Sequence, residues 1–156
     1  MACSVKAGER RRIYPPTYFL ICLAVAVASR SLAIIWAYST PGTLATAVLL
    51  LAAGIALNLM SDTAFKRRGT PVSPDATPTQ LVVSGAFRFT RNPMYLGMAL
   101  IIAAAALLVA EPIAILAAGA FVWIVNRSFV PGEERNLEIA FGDIYLTYKL
   151  GVRRWV

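Results

Sequence analysis

Three short stretches of this chain hold the residues best suited to chemistry. The first is Arg91-Asn92-Pro93-Met94-Tyr95-Leu96-Gly97. Asn92 is a good N-cap and Pro93 a good first helical residue, so a helix begins here. Its free N–H groups and the positive end of its dipole favour an anion. Arg91 adds a planar fork for a carboxylate. Tyr95 lies one turn in, and Gly97 lets another group approach the backbone. The second stretch is Glu133-Glu134, after Pro131-Gly132. Paired carboxylates at a helix start suit a cation or ribose hydroxyls, and equally serve as ordinary first-turn charge. The third comprises Tyr145, Tyr148, Arg153, Arg154 and Trp155. These are ordinary interfacial anchors, or the walls of an adenine pocket. The Arg91–Gly97 stretch has its plain reading too: a well-capped membrane helix with Arg and Tyr at the interface.

Composition narrows the chemistry further. The chain has no histidine. That excludes a Ser-His-Asp triad, a histidine base and histidine-ligated zinc or haem. Cys3 and Cys22 lie in a tail and an apolar run, and two cysteines form no metal framework, so no metal site is expected. A net charge of +7 would suggest nucleic acid in a soluble protein. Here the charge falls between apolar runs, which makes it a topology signal and leaves no nucleic-acid surface.

The elements that must position these residues are apolar. The hydrophobic fraction is 58%, against roughly 45–50% in soluble domains. The excess forms runs over 18–38, 43–60, 94–110 and 112–130. Each run is about 25–32 Å long as a helix, close to the bilayer core. The last two runs need a hairpin at Ala110-Glu111-Pro112, with Pro112 opening the second helix. Ser39-Thr40-Pro41-Gly42 makes the other turn. Every Lys and Arg except Arg30 lies in the N-terminal tail, the loop from Ser61 to Asn92 or the region after about residue 126; the turns have none. By the positive-inside rule both termini and the central loop face the cytosol. The basic tail before residue 18 resembles a signal peptide, but the apolar run is long for one, so an uncleaved first span is expected. Arg30 is either snorkelling outward or reaching a polar helix contact. Pro131-Gly132 should break the chain, and Glu133 to Leu150 reads as a cytosolic helix. Leu137, Phe141, Ile144, Tyr145 and Tyr148 then share one face. The expected fold is all-α: one membrane domain of about four spans, a cytosolic loop over 61–93 whose length is itself a sign of function, and a cytosolic C-terminal region over 131–156.

Gly85-Ala86-Phe87-Arg88-Phe89-Thr90-Arg91-Asn92-Pro93-Met94-Tyr95-Leu96-Gly97 resembles the hallmark of the isoprenylcysteine carboxyl methyltransferase family. So do Glu133-Glu134-Arg135-Asn136-Leu137, Phe141-Gly142-Asp143-Ile144-Tyr145-Leu146-Thr147-Tyr148 and Val152-Arg153-Arg154-Trp155. Gly69-Thr70-Pro71-Val72-Ser73-Pro74 is similar to small bacterial members. The Asn-Pro-Met-Tyr and Glu-Glu elements also resemble phosphatidylethanolamine N-methyltransferases. The likeness covers about 65–156. It implies a membrane-embedded methyltransferase without a Rossmann fold, using S-adenosylmethionine, in a bacterial inner membrane. By that resemblance Arg91, Asn92, Pro93, Tyr95 and Gly97 border the cofactor. Glu133 and Glu134 hold its ribose or amino group, Tyr145 and Tyr148 close around it, and Arg153 lies near the reaction centre. Arg91, Asn92, Glu134 and Arg153 form the implied catalytic set. Asn92 stands where the eukaryotic enzymes carry histidine, which bears on the prenylcysteine substrate and not on the cofactor.

The acceptor expected is lipophilic: a carboxylate first, with a phospholipid amine or thiol as alternatives. A carboxylate is already ionised at neutral pH, its pKa being about 4, so no base is required. An amine or thiol would need deprotonation, for which Glu133 or Glu134 is the candidate. A small four-span transporter is a competing class, but no acid lies inside any run. A related nicotinamide-dependent membrane reductase is another, and the Glu-Glu element favours the methyl donor.

Overall fold

The computed structural model describes residues 14–32, 40–70 and 79–156. The basic tail, Cys3, the end of the first apolar run, Ser39 and Pro71–Pro74 lie outside the described residues. The regular elements among them are all helices, with no β-sheet: α1 Pro15–Ala28, α2 Pro41–Arg67, α3 Pro93–Val109, α4 Pro112–Ser128, α5 Val130–Phe141 and α6 Asp143–Gly151. Short 3₁₀ turns at Ser29–Leu32 and Gly85–Arg88 complete the set.

Proline opens most of these helices. It occupies the first or second position of α1 to α5, where a missing N–H costs nothing. The α3–α4 hairpin turns at Ala110, which takes the left-handed conformation at φ 58° and donates its N–H to Ala106 O at 3.0 Å. Thr40 caps α2 through a capping box with Thr43. Arg30 donates to Val109 O at 3.1 Å while remaining exposed. It thereby satisfies a carbonyl at the negative end of α3, a helix contact made by an exposed side chain.

Helix α3 is central: α2 packs along one flank, and α1 and α4 along others. Buried Tyr95, Ala99, Ile102 and Ala106 of α3 join Phe121 and Val125 of α4 and Cys22 and Ala26 of α1 in one cluster. The buried residues of α2 are Ala47, Gly54 and Ser61, a seven-residue repeat of small side chains. Elsewhere α2 presents exposed Leu49, Ile55 and Leu59, and α4 presents Leu116 and Trp123. Exposed large apolar side chains recurring along both helices suit an apolar surrounding better than water. Pro41–Arg67 and the nearly continuous Ala114–Phe141 are long and apolar enough to cross a membrane, and Pro93–Val109 is a shorter apolar helix.

The C-terminal region departs from expectation. Pro131-Gly132 does not break the chain: α5 already begins at Val130, and the junction is at Phe129, because a proline is harmless in a first turn. The single helix expected over Glu133–Leu150 is two. Gly142, at φ 52° and ψ −129°, takes a conformation open to glycine and divides α5 from α6. The expected shared face is lost with it: Tyr145 is buried while Ile144 is 70% exposed. Helix α2 also runs seven residues past Met60, so the central loop is shorter than expected.

Candidate functional site

The start of α3 and the start of α5 meet at one end of the bundle. Consecutive residues on a helix point about 100° apart, so Glu133 and Glu134 face different partners. Glu133 accepts a hydrogen bond from the Tyr95 hydroxyl, one turn into α3. Glu134, buried, accepts a fork from Arg154: Nη2 at 2.7 Å and Nε at 3.1 Å. Arg91 Nη2 approaches Glu134 at 3.3 Å and Lys149 Nζ at 3.9 Å. Lys149 also pairs with Glu138. One buried carboxylate therefore lies among three cations, the arrangement in which a buried charge is tolerable.

The backbone of the stretch before α3 is fixed by the segment after α6. Arg91 N donates to Arg153 O at 3.0 Å. Thr90 Oγ1 and Asn92 Nδ2 both donate to Arg154 O, at 3.1 and 3.0 Å. Asn92 therefore does not cap α3 with its side chain, contrary to the role its type suggests. The first helical bond of α3 runs from Leu96 N to Asn92 O at 3.0 Å, so the Met94 and Tyr95 N–H groups precede the ladder. Arg91 Nε is buried with no hydrogen-bond partner among the described residues.

The tyrosines of α6 close the other side. Tyr145 is 1% exposed, and its ring centroid lies 6.0 Å from that of Tyr148. Tyr148 donates to Phe87 O at 2.6 Å, while the Phe87 ring meets Phe65 of α2 edge-on at 5.4 Å. Burial pushes both Tyr145 and Tyr148 up to about 12, so both remain phenols across the physiological range. Burial also raises the Glu133 carboxyl above its ordinary value; the Tyr95 hydrogen bond pulls it down, and the Glu134 charge adds to the rise. The hydrogen bond to Glu134 holds the Arg154 guanidinium the more firmly protonated.

Of the residues singled out in sequence, Arg91, Asn92, Pro93, Tyr95, Glu133, Glu134, Tyr145 and Tyr148 come together here. Two differ. Gly97 faces α2: a Cβ on it would stand 2.7 Å from Gly54 O and 2.3 Å from Asn58 Nδ2. The close approach it permits is helix on helix. The Arg153 side chain is exposed and pairs with no acid among the described residues, whereas its neighbour Arg154 forks onto Glu134. Sequence reasoning did not single out Asn126, Lys149 or Glu138. Asn126 carried a weak signal, as an amide where an apolar run ends at Arg127 and Ser128; the other two are ordinary charges in α5 and α6.

A family model described as "Phospholipid methyltransferase" matches residues 42–144. An uncharacterized protein of Haemophilus influenzae is 40% identical over 63 residues, which are 40% of this chain and all of that protein. No solved structure matches.

Proposed function

The chain belongs to the phospholipid methyltransferase family, and from that premise we propose that the site takes S-adenosylmethionine and methylates a lipophilic acceptor. The observation that carries this reading is the convergence of Arg91, Tyr95, Glu133 and Glu134 at the opening of α3. The residues fit the donor. The orphaned Arg91 Nε and the leading N–H groups of α3 suit its carboxylate. Glu133 suits its ammonium or ribose hydroxyls. Half-buried Tyr148 offers ring surface for adenine, backed by the buried Tyr145 ring. Bound there, the donor supplies an activated sulfonium methyl.

The protein's own residues align and shield. Arg91 and Asn92 fix the entry to α3, Glu134 fixes Arg91 and Arg154, and packed tyrosines exclude water. Exposed Arg153 is the guanidinium available to orient an acceptor carboxylate. The preferred acceptor is an isoprenylcysteine-like carboxylate, which needs no deprotonation. A second reading, N-methylation of a phospholipid amine, is favoured by the family match and by Glu133, whose raised carboxyl suits a base.

The exposed apolar faces and the position of the basic residues support about four spans, with both termini in the cytosol and an inner-membrane location. The lipid acceptor enters from the bilayer and the donor from the cytosol. Purified protein would be given radiolabelled S-adenosylmethionine with a prenylated cysteine or with phosphatidylethanolamine. Base-labile label on the prenylcysteine is expected; base-stable label on the amine lipid selects the second reading. Label on neither, from protein that binds the donor, removes both acceptors.

A further inference from the structure

Asn126 is a part-buried amide in the last turn of α4, where the apolar run gives way to Arg127 and Ser128, and a buried amide oxygen is costly unless partnered. Its Oδ1 accepts from Arg154 Nη1 at 3.3 Å and from Trp155 Nε1 at 3.2 Å. Arg154 is held at its other end as well, its carbonyl accepting from Thr90 and Asn92. Between these ends its guanidinium forks onto Glu134. We propose that Asn126 is a positioning residue of the site: it sets the Arg154 side chain so that the fork meets Glu134, and so ties α4 to donor binding. This rests on the methyl-donor reading given above.

The chemistry suits an amide. A guanidinium has five N–H donors, and a carboxylate fork uses two of them. Without an acceptor on α4, Nη1 loses its partner and the long side chain regains rotamers. An oxygen acceptor on α4, amide or carboxylate, takes the Nη1 hydrogen and leaves Nε and Nη2 to the Glu134 fork. Trp155, bound to the same oxygen, shields the pair; it also packs against the apolar cluster.

The test is a double-mutant cycle on the full chain in detergent, read by calorimetric affinity for S-adenosylhomocysteine. Asn126→Leu and Arg154→Leu should each weaken binding by at least about fivefold, and the double variant by no more than about twofold beyond Arg154→Leu alone. Asn126→Asp, which keeps the acceptor, should stay within about threefold of wild type. A purely structural role would instead give effects that multiply in the double variant, without rescue by aspartate. Either that outcome, or wild-type affinity in Asn126→Leu, overturns the proposal. Asn126→Ala completes the cycle where the leucine variant does not fold. A wild type that binds no donor overturns the methyl-donor reading, and this inference with it.

Discussion

Replacing Glu134 by glutamine would remove one negative charge from the centre of the cluster and little else. The wild-type carboxylate is 8% exposed, Arg91 10% and Arg154 34%. Removing one partner of a buried ion pair costs about 3–5 kcal/mol, because the other charge is left uncompensated. The full cost applies to Arg91, which has no other acid within ion-pair distance among the described residues. For Arg154, a third exposed and also bound to Asn126, water screens much of the loss. Glutamine retains one oxygen for the fork but turns an N–H toward the other guanidinium hydrogen. The expected net destabilisation is about 2–4 kcal/mol. Chemical denaturation in mixed micelles, followed by near-UV circular dichroism, measures it. A second variant separates charge from packing: Arg91→Met with Glu134→Leu should recover much of the stability, yet bind S-adenosylmethionine at least about tenfold more weakly than wild type. If Glu134→Gln is as stable as wild type within about 0.5 kcal/mol, Glu134 is not the buried charge hub described here.

Gly97→Ala should cost about 1–3 kcal/mol, since its Cβ would meet backbone of α2 at 2.7 Å and force α2 and α3 apart; thermal unfolding in detergent reads the loss. Tyr148→Phe removes the bond to Phe87 O and should cost about 1 kcal/mol in the same assay, with the loop before α3 exchanging amide hydrogens faster. Glu133 has a folded-state pKa raised above its ordinary 4.5, so its proton favours the folded state. That contribution is complete below pH 4.5 and is lost as pH rises through the raised value. Glu133→Gln should flatten this part of the stability–pH curve.

Much of the helical layout was legible because lipid-facing helices are apolar in long runs and prolines mark where they start. Pro93 and Pro112 open α3 and α4, and a hairpin at Ala110 was required by length alone. The division at Gly142 was hidden, because its flanks keep a helical pattern and only the backbone conformation shows the break. Pro131 misled for a related reason: proline ends a helix or begins one, and spacing does not say which. Within the site, the residue types around Glu133-Glu134 and Arg91 were readable, since few polar groups interrupt this chain. Which arginine of Arg153-Arg154 turns inward was not, since neighbours on an extended segment point to opposite sides and only packing chooses between them. Gly97 signals a close approach to the backbone, but the group that approaches, Gly54, is far away in sequence and no local signal names it.

The methyl-donor site is tested most directly by calorimetric titration of the detergent-purified chain with S-adenosylmethionine. Wild type should bind saturably at one site, and Arg91→Ala and Glu134→Ala should each weaken binding by at least about tenfold, or 1.4 kcal/mol. Absence of binding by folded wild type, or affinity unchanged in both variants, would contradict the account.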